Sequence, residues 1–387
     1  MAPRRSHSLN MPASLRVLHV FKTYYPDTFG GIEQVIRQLT SITSSMGVAN
    51  QIFTLSPKAS LTPVLFDGAT KIIRSPVDLE LASTPMSLRA LGSFRAAARW
   101  ADLIHYHYPW PFGDLLHLLG AQGKPAILTY HSDVVRQRLL MPYYRPLLRY
   151  FFKQMRAIVP ESPNYLESSE LLQDYRDKTT VIPIGLNEAY YHPPEPERLA
   201  HWRSEVGTDF FLFVGVLRYY KGLHILLDAC VGSSAKVVIV GAGPVENDLK
   251  AQAQRLGLTN VVFLGAVSDE DKIALLELCR AVVFPSHLRA EAFGVTLLEG
   301  AMHGRPLISS EIGTGSSYVN IDGVTGIVVP PSDPAALRAA MHTLGSDHEL
   351  ASQMGLRARI RFETLFTARQ MGESYVALYE RIVGRPA

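Results

Sequence analysis

Two glutamates separated by seven residues, Glu291 and Glu299 in the stretch EAFGVTLLE, have a spacing that fits a definite chemistry. An apolar run ending at Phe284 and Pro285 precedes them, and a helical pattern continues through Gly300, Ala301 and Met302. The pair therefore brackets a strand-to-helix turn. Gly294 lets the backbone approach a ligand, and the amides of Gly294, Val295 and Thr296 are the unpaired donors of a first helical turn. Free N–H groups and the helix dipole together attract a phosphate. A carboxylate, an acceptor with two oxygens, grips the adjacent hydroxyls of a ribose or hexose. A phosphate held between two polyol clamps describes a nucleotide-diphosphate sugar. The plainer alternative is a pair of solvated glutamates around an ordinary buried helix.

Other groups are weighed in the same way. The loop GVLRYYKG places Arg218 and Lys221 at the carboxyl end of a strand, where a diphosphate needs neutralising, although solvated basic loop residues are common. Gly241-Ala242-Gly243-Pro244 lacks the third glycine of a dinucleotide fingerprint, its position holding Glu246, and reads better as a tight turn. Asp269, Glu270 and Asp271 follow Ser268 at a helix start, which favours capping over metal binding. In the first half, His105 and His107 lie in DLIHYHYPWP and His131 ends the strand-like LTYHSD. Lone histidines are commonly structural, but His131 stands where strand ends face a cleft, with Asp133 and Glu161 as alternatives. No His or Cys cluster with metal-ligand spacing is apparent, so neither a metal nor a cofactor is expected.

These groups need a scaffold, and 387 residues predict two domains. Apolar residues make up 47%, yet no apolar run nears the roughly 18 residues that span a bilayer. The head MAPRRSHSLNMP has arginines without an apolar segment behind them, which predicts a disordered tail over 1–15 and not a signal peptide. Cys230 and Cys279 both sit in apolar patterns and favour a reducing, cytoplasmic compartment. A formal charge of +3 does not argue for nucleic acid.

Strand Arg16–Phe21, the glycine turn at Gly30 and Gly31, and a helical run ending at Gly47 form the opening unit of a doubly wound sheet. Further strands are expected at Gln51–Leu55, Lys71–Arg74, Leu103–His107, Ala126–His131, Ala157–Pro160 and Thr180–Ile184. A proline-rich linker covers Gly185–Leu199. Strands at Phe210–Leu217, Lys236–Val240, Val261–Leu264, Ala281–Phe284, Pro306–Ser309 and Gly326–Val329 then alternate with helices. The fold class is α/β, two Rossmann-like domains facing a cleft: 16–188 on the acceptor side and 189–366 for the nucleotide sugar. Within the first lies the stretch 134–158, with Arg136, Arg138, Arg145, Arg149, Lys153 and Arg156, no acid, and five interleaved Tyr and Phe residues. It suits an anionic membrane surface, or is the basic outer face of ordinary helices.

The two glutamates, with Phe293 and Gly294 after the first and Ala301-Met302-His303-Gly304-Arg305-Pro306 after the second, resemble the donor-site signature of retaining glycosyltransferases of family 4. The resemblance runs from about residue 16 to about residue 380 and implies the two-domain GT-B architecture. It also implies a final helix, 367–387, that crosses back to the first domain. It places Glu299 on the ribose, Glu291 on the hexose, the 293–296 turn with Arg218 and Lys221 on the diphosphate, and Gly30, Gly31 and His131 beside the sugar. The family's usual arginine five residues before the lysine is Val216 here, so either Arg218 reaches the phosphate from a differently shaped loop or only Lys221 does. Retention without an enzymic nucleophile implies that the donor phosphate takes up the acceptor proton, with His131 orienting the sugar through a hydrogen bond. FVGVLRYYKG, SSEIGTGSSYVN and FKTYYPDTFGGIEQV resemble bacterial O-antigen enzymes that use GDP-mannose or GDP-D-rhamnose and a lipid-linked glycan acceptor. A UDP-hexose donor, a GT-B-fold nucleotide-sugar 2-epimerase and a non-catalytic sugar-nucleotide-binding partner are the alternatives. A peripheral position on the inner face of the membrane follows from the basic stretch.

Overall fold

The computed structural model describes residues 14–81, 84–133 and 141–384, apart from the side chain of Met141. The tail expected over 1–15 therefore lies almost wholly outside the described residues, as do Arg136 and Arg138. The first sheet has seven strands in the spatial order Val64–Asp67, Thr70–Pro76, Ala49–Ser56, Arg16–Val20, Leu103–Tyr108, Ala126–Tyr130, Ala157–Pro160. All its neighbours are parallel except the first two. The second sheet is parallel throughout, in the order Val261–Gly265, Val237–Val240, Phe211–Val214, Ala281–Phe284, Leu307–Ser310, Gly326–Val329. The central strands are buried at every position, as helices on both faces of a parallel sheet require.

Thr180–Ile184 is not a strand. Thr180 N–H reaches Ile158 O at 3.0 Å and Ile182 N–H reaches Pro160 O at 3.2 Å, but Pro183 has no N–H with which to extend the ladder. The antiparallel edge strand Val64–Asp67 and the hairpin Leu79–Leu81/Thr84–Met86 are short additions that the sequence reading did not find.

The two halves are joined twice, and the joints lie side by side. Leu186 N–H donates to Phe366 O and Ala368 N–H donates to Leu186 O, both at 2.9 Å. Gly185 permits this approach, because a Cβ there would lie 2.2 Å from Thr367 O. The final helix Ala368–Val383, started by a capping box at Thr367 and Gln370, packs Met371, Tyr375, Leu378 and Tyr379 into a core with Val17, Leu39, Leu103 and Val159. The helix Gly31–Ser45 works in both directions: Leu39 faces that first-half core, while Val35 joins the second-half core beside Phe293 and Phe366. The glycine turn at its start is thus tied to both sheets. Leu148, Phe151 and Phe152 of helix Met141–Gln154 are core residues, and Tyr144 donates to Asp114. Only Tyr143 and Tyr150 of the five interleaved aromatics are exposed, which halves the aromatic face read from the sequence.

Candidate active site

The turn after Ala281–Phe284 carries Glu291, and helix Val295–Met302 begins at Gly294 with φ +94°, a left-handed conformation that favours glycine. A Cβ at Gly294 would also press on Leu297 and Phe284. Val295 and Thr296 contribute the first amides of this helix, and the Thr296 hydroxyl donates to Val214 O at 3.1 Å, which pins the turn to the neighbouring strand end. Phe293, expected in the donor site, is 2% exposed and packs edge-on against Phe366; its side chain is a core residue. What remains of it at the site is its main chain.

The two glutamates are held alike. Lys221 Nζ donates to Glu291 Oε2 in a buried ion pair, and Ser286 Oγ reaches the same oxygen at 3.3 Å. Oε1 of Glu291 has no hydrogen-bond partner among the described residues. Burial opposes the charge on Lys221, but the Glu291 carboxylate and its hydrogen bond outweigh that and raise the ammonium's pKa. Glu299, on the helix, accepts from Lys272 Nζ at 2.9 Å and from Tyr191 OH at 3.0 Å, again both on one oxygen, Oε1. Burial likewise opposes the Lys272 charge, and Glu299 with Asp269 raises it. Each carboxylate is thus fixed by a lysine through one oxygen, and the other has no hydrogen-bond partner among the described residues.

Arg218 is exposed at the start of the one-turn helix that carries Lys221. Lys22, from the loop after the first strand, lies close enough to feel it: burial lowers the Lys22 pKa, Glu33 opposes this, and Arg218 across the cleft reinforces it. The Arg218 charge also opposes that of Lys221, so it acts on one lysine from each half. Gly30 caps the helix Gly31–Ser45 without a side chain, and a Cβ there would sit 2.4 Å from Glu33 Oε2. Gly31 has open space around it.

Opposite, the histidines form a row. His131 Nδ1 lies 2.5 Å from Glu161 Oε1, and His131 Nε2 lies 2.9 Å from His107 Nδ1. His107 Nε2 lies 3.1 Å from His19 Nδ1, and His19 Nε2 lies 3.2 Å from Asn50 Oδ1. Both ring nitrogens of His131 are therefore engaged by the protein, and the expected hydrogen bond from its ring to a sugar is not available in this geometry. His19, His105 and His107 bring ligand atoms within 4.8 Å of one another, so a cluster with metal-ligand spacing does exist, against the expectation from sequence. Every nitrogen of those three rings already has a protein partner, His105 bonding Tyr379 OH at 2.8 Å and Thr129 Oγ1 at 2.6 Å. That arrangement speaks for a hydrogen-bonded core and not for a cation site.

Asp133 pairs with Arg289 of the second half at 3.3 Å, Arg289 Nη1 donates to Gly313 O at 2.9 Å, and Asn164 reaches Ser317 at 3.2 Å. Gln34 donates to Tyr191 OH at 3.1 Å, which links the first half to Glu299. Ser268 caps its helix and Asp271 is held by Arg198 and Trp202, so the acidic trio is a capping feature. Sequence reasoning missed Lys22, Gln34, Tyr191, Lys272, Arg289, His19 and Asn50. Of these only Tyr191 had a signal, an aromatic residue in a proline-rich linker.

Residues 29–190 match the family described as Glycosyltransferase Family 4, and residues 196–361 the family described as Glycosyl transferases group 1. The chain is 55% identical over 354 residues to D-rhamnosyltransferase WbpZ of Pseudomonas aeruginosa, covering 92% of this chain and 93% of that protein. The chain belongs to the family 4 glycosyltransferases. It is also 52% identical over 369 residues to O-antigen chain mannosyltransferase C of Escherichia coli, covering 95% and 99%. Among solved structures, sucrose-phosphate synthase from Thermosynechococcus elongatus superposes with a TM-score of 0.78 at 20% identity, covering 96% of this chain and 99% of that one. This glycosyltransferase therefore has the GT-B fold, and the turn between Glu291 and Glu299 lies in the part matched by the group 1 description.

Proposed function

We propose that this glycosyltransferase moves mannose or D-rhamnose from a GDP-sugar to a lipid-linked glycan, with retention of configuration, in the synthesis of O-antigen. The observation that carries the sugar and the pathway is whole-length identity above half to two proteins named for D-rhamnose and mannose transfer. The site geometry supports the rest of this reading. Glu299 takes the ribose and Glu291 the hexose through their unbonded oxygens. The Gly294–Thr296 amides, Arg218 and Lys221 receive the diphosphate, whose developing charge they stabilise as it leaves. Those donors suffice without a metal or cofactor, and the departing phosphate takes the acceptor's proton. Closure of the two halves excludes water, the competing acceptor. The enzyme works in the cytoplasm at the inner face of the membrane.

Contact with an anionic membrane is supported by exposed Arg145, Arg149, Lys153 and Arg156 on and after helix Met141–Gln154. A groove of about 760 Å³ at the amino ends of strands Ala126–Tyr130 and Ala157–Pro160 continues this charge with Arg95, Arg99 and Lys124, beside exposed Leu118, Leu119 and Tyr150. No helix among the described residues is long and apolar enough to cross a membrane.

Thermal stabilisation of the protein by GDP, UDP, ADP and dTDP at equal concentration tests the donor. A ligand at 100 times its Kd adds about 2.7 kcal/mol, a readable shift. GDP is expected to give the largest one; a clear shift with UDP and none with GDP overturns the assignment.

A further inference from the structure

The row Glu161–His131–His107–His19–Asn50 contains four hydrogen bonds in series. Its two ends are both acceptors. Asn50 Nδ2 faces two main-chain carbonyls, Thr40 O at 3.1 Å and Val48 O at 3.4 Å, so its amide must point there and Oδ1 must face His19. Oδ1 can only accept. At the other end a Glu161 carboxylate can only accept as well. Every link needs its own proton, so four are required, while three neutral imidazoles supply three. An unmade link in this place is costly, because His19, His107 and His131 are all at most 3% exposed.

We propose that Glu161, His131, His107 and His19 together hold one proton beyond those of three neutral imidazoles, that it sits in the Glu161–His131 bond, and that Glu161, His107 and His19 are positioning residues for His131. With the proton there, the remaining links run in one direction. His131 Nε2–H donates to His107 Nδ1, His107 Nε2–H donates to His19 Nδ1, and His19 Nε2–H donates to Asn50 Oδ1. Placing the extra charge farther down the row would separate it from its counter-ion. Burial already pushes the His107 pKa well below the usual range and the His19 pKa down to about 4, so neither ring is a favourable home for it. Among the described residues, the other titratable groups packed about the row are His105, stacked on His107 at 4.4 Å, and Tyr375 and Tyr379 of the final helix, whose rings pack on His105. Burial keeps all three neutral, lowering His105 and raising both tyrosines. The consequence for catalysis is specific. His131 directs its ring N–H groups into the protein, so it acts on a sugar through charge and main chain and cannot serve as a general base. That last step rests on the cleft being the transfer site; the proton count does not.

The full chain, labelled with 15N-histidine, tests the count by long-range proton–nitrogen correlation, with His19→Gln and His107→Gln variants to assign the rings. The expected result near neutral pH is a proton on Nε2 and a bare Nδ1 in both His107 and His19. A proton on Nδ1 of His107 or His19 overturns the proposal. As pH rises and the shared proton leaves, the two rings should change tautomer together. In Glu161→Gln the amide can donate to His131 Nδ1 in the proton's place, so both rings should keep Nε2–H at pH values where the parent has switched. A switch at the same pH in parent and variant also overturns it. If Glu161→Gln does not fold, the parent's tautomers alone decide. In turnover, the parent should lose kcat on the basic side and Glu161→Gln should lose that limb, with little change in the donor KM. A flat parent profile beside the expected tautomers would sink the transfer-site reading and leave the proton count standing.

Discussion

The two sides of the cleft treat their polar atoms in opposite ways. On the donor side, Glu291 and Glu299 each place one oxygen on a lysine and leave the other without a partner among the described residues. On the acceptor side every ring nitrogen of His19, His105, His107 and His131 is already bonded within the protein. A site built to recognise a ligand leaves acceptors waiting, whereas a network built to hold a shape fills them all. Under the proposed function, recognition falls to the second domain and positioning to the histidine row.

The largest effects should therefore fall on the donor side. Glu291→Ala and Glu299→Ala are each expected to lose turnover by about a hundredfold or more, if a lost charge-assisted contact costs about 3 kcal/mol in the transition state. Near-normal kcat in either folded variant removes that residue from the site. Stability separates the pair further. Lys221→Met leaves Glu291 buried without its counter-ion and should cost about 3–5 kcal/mol in a denaturant titration. Adding Glu291→Met should recover most of that loss, and no recovery would mean the ion pair is not the coupling.

The same contrast explains what could be read in advance. Glu291, Gly294, Thr296 and Glu299 lie within one turn and one helix, so their spacing in sequence is their spacing in space. Lys221 and Arg218 belong to one loop and were visible for the same reason. The parallel sheets were legible because buried strands such as Ala281–Phe284 and Ala157–Pro160 are continuous apolar runs. The histidine row was not legible, because His19, His107, His131 and Glu161 come from four strands or strand ends, and only the sheet order makes them neighbours. Lys272 and Tyr191 reach Glu299 from a capped helix and a proline-rich linker whose local patterns say nothing of where those side chains go. Phe293 misled, since a motif position fixes the main chain at a site without fixing where the side chain goes.

The charge state of the two sides sharpens the comparison with pH. Lys221 and Lys272 both have raised pKa values. A cation stabilised in this way contributes fully below the ordinary lysine range near 10.4 and is lost only as pH rises through the raised value. Donor affinity, measured as nucleotide Kd, should therefore stay level from about pH 7.5 to 8.5, above the second pKa of about 6 of the nucleotide's own terminal phosphate. A fall in affinity inside that window would place a titrating group on the donor side. Arg218→Ala should act on affinity alone, weakening GDP by about tenfold, or ~1.4 kcal/mol, and guanosine hardly at all. Equal GDP affinity in variant and parent leaves Lys221 as the loop's contribution.

The smallest effect is expected where the two sides meet. Arg289 reaches Asp133 at 3.3 Å with both side chains about a third exposed, stacks over Tyr165 at 5.1 Å, and donates to Gly313 O. A half-solvated pair of this kind is worth at most about 1 kcal/mol, so Arg289→Ala should barely change the melting temperature. Its influence lies in holding the halves together around the donor, where the same ~1 kcal/mol becomes a rise in donor KM of about fivefold with little change in kcat. Because solvent reaches the pair, salt should erase the difference: parent and variant KM values should converge near 1 M, where the Debye length is about 3 Å. A loss of about a hundredfold in kcat that persists at high salt would instead put Arg289 among the groups that hold the diphosphate. It would then belong to the recognition side of the cleft, and the boundary drawn between the two sides would have to move.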